Sequence, residues 1–143
     1  MKQYITLFII IVNLTLFSQT KMDVKEITSI KLKSVEQIYG QFTENKNCEI
    51  IRSGEDEKNA GITFFDKSTK LFWSLNYSID TKELNTLIIT SEDINFYNVL
   101  LKDCNKNMIK HPTSIWFKND DIIVMFTPKS EGITMYSVLF QFK

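Results

Sequence analysis

Residues 61–73 read GITFFDKSTKLFW, two β-rich aromatic runs around the polar residues Asp66, Lys67, Ser68 and Thr69. Asp and Ser side chains bond to their own backbone and favour tight turns, so the stretch reads as a β-hairpin. Successive strand side chains point to opposite faces, so Phe64 and Phe65 cannot share one. Closing the turn with Phe65 opposite Lys70 sets Phe64 against Leu71 and Ile62 against Trp73, and Leu75 and Tyr77 extend that face. Phe65 and Phe72 fall on the other face. A hairpin with large apolar residues on both sides suits a sheet that receives helices, and packing predicts that a helix buries Phe65 and Phe72.

The flanking sequence supplies two such helices. Val35, Ile38, Tyr39 and Phe42 recur at i, i+3, i+4 and i+7, the stripe of one helix face, and Ser34 with Gln37 has the spacing of a capping box. Further on, Ile94, Tyr97, Leu101, Cys104 and Met108 recur at steps of three and four behind Ser91, a candidate cap. Ile30 and Leu32 alternate with lysines and read as a short strand, while residues 21–30 fit helix or extended chain. Residues 48–52 read as a strand, 53–61 as a polar loop, and 84–90 as a strand.

The last third is a meander. Residues 113–118, 121–127 and 133–142 are strands separated by NDD and PKSEG turns. Residues 122–126 hold no polar residue and suit a central strand covered on both faces. In the last strand Thr134, Tyr136, Val138, Phe140 and Phe142 line one face. The sum is an α+β domain: an antiparallel sheet of six or seven strands with two helices packed on it.

The first twenty residues, MKQYITLFIIIVNLTLFSQT, do not belong to that fold. Lys2, an apolar run over residues 4–17 and the small exit residues Ser18 and Thr20 have the layout of a secretory signal peptide. A membrane anchor is the competing reading, but a spanning helix needs about 20 apolar residues and Asn13 interrupts this shorter run. No cysteine follows the run to take a lipid. Cleavage after Ser18 leaves residues 19–143 as one exported domain, in periplasm or medium, with no stable membrane span. In that setting Cys48 and Cys104, 56 residues apart, are a candidate disulfide. Closing that loop stabilises a fold by roughly 4 kcal/mol in the chain-entropy model.

The balance of charge excludes one class of partner. Lys+Arg and Asp+Glu are both 17, and Arg52 is the one arginine, so neither a net field nor bidentate guanidinium forks favour nucleic acid. Catalytic signatures are missing from the sequence. His111 is the single histidine, no G-x-S-x-G elbow surrounds a serine, and H-E-x-x-H is absent. The acidic clusters EDE (residues 55–57) and NDD (119–121) lack EF-hand spacing, and the four glycines form no phosphate loop. No catalytic residue, metal ligand or cofactor is therefore assigned.

Aromatic residues are the conspicuous allotment, 18 in all. Trp73, Tyr77, Trp116 and Tyr136 are candidates for a ligand-binding face, with core packing the competing role. The leading functional expectation is a small exported, non-catalytic binding protein for a protein partner or an apolar small ligand. An enzyme with scattered residues around His111, and a structural or surface-interaction protein, are the alternatives.

Overall fold

The hairpin closes four residues wide. In the computed structural model, which describes residues 23–31, 33–112, 115–127, 132 and 134–143, Asp66 pairs with Leu71, Phe65 with Phe72, Phe64 with Trp73 and Ile62 with Leu75. The register differs from the sequence expectation by two residues, which leaves every side chain on its expected face. Asp66 causes the shift. Its buried carboxylate accepts hydrogen bonds from the backbone and hydroxyl of both Ser68 and Thr69. Lys70 then takes a left-handed conformation (φ 59°) and donates its amide to the Asp66 carbonyl.

The chain runs α1 (Val24–Ile30), α2 (Val35–Glu44), β1 (Cys48–Glu55), β2 (Asn59–Asp66), β3 (Leu71–Ser78), β4 (Leu84–Ser91), α3 (Ile94–Asn107), β5 (Ile109–Lys110), β6 (Trp116–Lys118), β7 (Ile122–Phe126) and β8 (Tyr136–Phe142). The strands form one antiparallel sheet in the order β1-β2-β3-β4-β8-β7-β6-β5. The α+β class is as the sequence implies. The described residues hold eight strands and three helices where six or seven and two were expected. The expected signal peptide (residues 1–18) lies outside the described residues, as do Leu32 and the PKSEG turn's first four positions. No helix among the described residues is long and apolar enough to cross a membrane.

Two extra elements account for the difference in count. Residues 24–30 form helix α1, with the Asp23 carboxylate accepting from the Glu26 amide, so Ile30 ends a helix and is buried instead of opening a strand. Residues 53–61 are mostly strand. β1 and β2 meet across the three-residue turn Asp56–Lys58, and Gly54 pairs with Gly61. An edge strand exposed on most positions carries no apolar alternation for a sequence reading to detect. Strand β5 is two residues long.

A helix followed by a four-stranded meander occurs twice: α2 with β1 to β4, and α3 with β5 to β8. The final strands of the two meanders pair at the centre, and their first strands form the edges. The sequence holds no matching internal repeat.

All three helices bury one face of the sheet. Ser34 and Gln37 make the expected capping box, and Val35, Ile38 and Phe42 point inward from α2. Phe42 stacks on Phe64 at 4.4 Å and lies 5.8 Å from Trp73. From α3, Tyr97 meets Phe126 and Tyr136 edge-on and donates its hydroxyl to the Thr127 carbonyl. The α3 cap is Asp93, because Ser91 ends β4 and donates its hydroxyl to the Lys70 carbonyl. Phe64, Trp73, Ile89, Val138 and Phe126 lie opposite one another on successive strands, which places both helix contacts on the same side.

Candidate functional site

The other face of the sheet carries no helix among the described residues. Directly opposed strand residues share a face, so the pairing registers define its surface. One row crosses every strand: Arg52, Thr63, Ser74, Ile88, Leu139, Met125, Trp116 and His111. A second row runs through Gly54, Gly61, Asn76, Thr86, Gln141, Ile123, Lys118 and Ile109. A third holds Glu49, Phe65, Phe72, Thr90 and Ser137. Phe65 and Phe72 are therefore not under a helix. They are half-buried against each other, centroids 4.6 Å apart, because all the helices went to the Phe64 side. Likewise β7 is covered on one face, with Ile123 and Met125 half-buried on the other.

The face is uneven in height. On the β1–β3 side the first two rows hold glycine, threonine, serine and asparagine, and they leave a groove of about 530 Å³. Gly54 and Gly61 form its floor. A Cβ on Gly54 would meet nothing within 4 Å, and one on Gly61 would meet the Leu75 carbonyl oxygen at an ordinary 3.7 Å. On the β7–β5 side the same rows hold Met125, Trp116, His111, Ile123, Lys118 and Ile109. Trp116 and His111 stack at 4.2 Å, and Ile109 is 67% exposed. Between the two halves, Ile88 and Leu139 sit on the central strands β4 and β8.

Charge is also divided. Arg52, Glu55 and Asp56 rim the groove. The Asp56 carboxylate accepts from the amides of Lys58 and Asn59, which hold its carboxyl below the usual range. Glu49 is paired with Lys67. The tall half contributes Lys118. The hydroxyls of Thr63 and Ser74, and of Thr90 and Ser137, bond across strands and hold the polar positions in place.

The four aromatics singled out by sequence do not come together. Trp73, Tyr77 and Tyr136 lie on the helix-covered side, Trp73 buried and the other two half-buried. Trp116 alone reaches the open face. Sequence reasoning missed Ile88, Leu139, Ile123 and Met125. Strict alternation marked two faces for each strand, but nothing local says which face the helices cover.

Cys48 and Cys104 do not have disulfide geometry; both are free thiols. Cys48 is on the edge strand β1, whereas Cys104 lies on α3, which packs on β5, β7 and β8. Four strand spacings, roughly 19 Å, separate β1 from β8, and a disulfide needs Cα atoms within about 7 Å. Burial pushes the Cys48 thiol up to about 11, helped by the Asp66 carboxylate, and burial beside Asp103 pushes Cys104 up to about 12. Both stay protonated at neutral pH, where the thiolate is the nucleophile.

A second groove of about 700 Å³ lies between α1, the end of α3 and the β6–β7 turn, with Asp23, Asp103 and Asp121 in its wall. Asp103 is committed there to the Val24 amide and the Asn107 side chain. Among the described residues no group of three or more His, Cys, Asp or Glu is arranged to hold a metal.

Fold and face together define an α+β domain with one sheet surface left open. Comparison with models of known families, with curated proteins and with solved structures finds no match to this chain.

Proposed function

We propose that this chain is an exported, non-catalytic binding protein that docks a protein partner on the helix-free face of its sheet. The observation that carries this reading is the apolar run Ile88, Leu139, Met125 and Trp116, continuous over four neighbouring strands with no helix above it among the described residues. Contiguous apolar surface on a soluble domain marks an interaction site, and aromatic residues and Met are enriched in interface cores. A small apolar ligand would need an enclosed, mainly apolar pocket. The groove on this face is instead open and mixed in lining, with Arg52, Asp56 and Asn76 beside Ile88, which favours a protein. Export rests on the leader at residues 1–18, and the mass of the mature N-terminus tests it.

The docking reading is tested by photo-crosslinking in the producing cell. p-Benzoylphenylalanine is placed at Leu139 or Met125, and as a control at Val99, exposed on α3 on the far side. The expected result is a discrete protein adduct from positions 139 and 125 and none from 99. No adduct, or the same adducts from all three positions, refutes it.

A further inference from the structure

The open face fits itself. We propose that its partner is a second copy of this chain, laid face to face about a two-fold axis that runs parallel to the strands along the β4–β8 seam. This rests on reading the helix-free face as a docking surface. Such an axis sets β4 over β8 of the second copy, β3 over β7, β2 over β6 and β1 over β5, an isologous contact in which each half of the face meets the other half.

Three features of the face suit that arrangement. The first is shape. The low half, floored by Gly54 and Gly61 with Thr63 and Ser74 beside them, lies over the tall half of Ile123, Met125, Trp116 and Ile109. The groove of about 530 Å³ is the space those side chains enter. At the axis, Ile88 of each copy lies over Leu139 of the other and the four form a dry centre, with Thr86, Gln141, Thr90 and Ser137 as a polar margin on either side.

The second is charge. Asp56 at the groove rim approaches Lys118 of the second copy, and the Arg52 guanidinium approaches the stacked His111 and Trp116 rings, a favourable cation–π geometry. The opposite choice, an axis across the strands, would place β1 over β1 and β5 over β5, so the low half would meet the low half and the tall half the tall half. The third is area. Eight strands about 4.8 Å apart span roughly 34 Å, and three rows cover roughly 20 Å, on the order of 700 Å² per copy. A standard specific interface buries about 800 Å² per partner. Sheets with two apolar inner faces pack in this aligned manner.

The test is sedimentation equilibrium of the mature chain from micromolar to hundreds of micromolar. The expected mass is that of two chains. Leu139→Lys sets like charges together at the axis and is expected to raise the dissociation constant at least about tenfold, because like-charge juxtaposition costs several kcal/mol. Gly54→Phe fills the groove where the single chain has open space, so it separates the copies even if Leu139→Lys disturbs the fold; circular dichroism checks both. Lys118→Glu weakens the pair and Asp56→Lys restores it. A single-chain mass at every concentration overturns the proposal, as does a two-chain mass unchanged by Leu139→Lys and Gly54→Phe. The crosslinks separate this failure from that of the docking reading. Adducts of the chain with itself support the pair, and adducts only with a different protein sink the pair while leaving the docking face intact.

Discussion

Phe64 and Phe65 are neighbours in sequence with opposite fates, and truncating each to alanine measures the difference between the two faces. Phe64 is 1% exposed, stacked on Phe42 and edge-on to Tyr39. Removing its ring forfeits about 2–3 kcal/mol of transfer free energy. The cavity left between α2 and the sheet brings the total to about 3–5 kcal/mol. Phe65 keeps one face in water and has Phe72 as its ring partner, a contact worth about 0.5–1.5 kcal/mol. No cavity can form above it, so Phe65→Ala is expected to cost about 1–2 kcal/mol once the lost part of its burial is added. Urea unfolding followed by the fluorescence of the buried Trp73, at dilute chain concentration, reads both. With a slope near 2 kcal/mol per molar urea, Phe64→Ala lowers the midpoint by roughly 2 M and Phe65→Ala by less than about 1 M. Equal losses would mean that something covers Phe65 and that the open face is not open.

Asp66→Ala removes the carboxylate that organises the 67–70 turn and is expected to cost about 2–3 kcal/mol, read by the same unfolding curve. Ser34→Ala loses one side of the α2 capping box, about 1 kcal/mol, visible as a lower urea midpoint. The thiols make stability fall in alkali. Unfolded cysteines ionise near the ordinary value of 9.0 while the folded thiols hold their protons to about 11 and 12. Between those limits the folded chain binds more protons than the unfolded one, so stability is complete below pH 9 and declines as pH rises. Urea midpoints at rising pH check this, and Cys104→Ala flattens the slope. Native protein exposed to iodoacetamide at pH 8 should react slowly at Cys48 and at Cys104 only after unfolding, with a mass that reductant does not change.

Elements with a strong local signature were legible in the sequence. The Ser34–Gln37 box and the stripe behind it located α2, the stripe from Tyr97 to Cys104 located α3, and alternation from Tyr136 to Phe142 located β8, although Thr134, expected on the same face, precedes the strand. Register was less so. The hairpin slipped by two because the Asp66 carboxylate binds Ser68 and Thr69, a choice that depends on three side chains acting together. β1 was cut short because an exposed edge strand has no apolar period to read. The open face was not legible at all. Phe65, Phe72, Ile88 and Leu139 look like residues awaiting a helix, and only the placement of α2 and α3 on the same side shows that none of the described helices covers them. The breadth of the sheet between β1 and β8 separated Cys48 from Cys104, a distance that spacing along the chain does not encode.

The pairing of β4 with β8 bears on when this chain can fold. Strand β8, last in sequence of the described strands, pairs at the centre, so a nascent chain still lacking residues 136–142 has a four-stranded meander with the flank of β4 unpaired and a second group of strands with nothing to join. The sheet closes only after residues 136–142 have emerged from the ribosome.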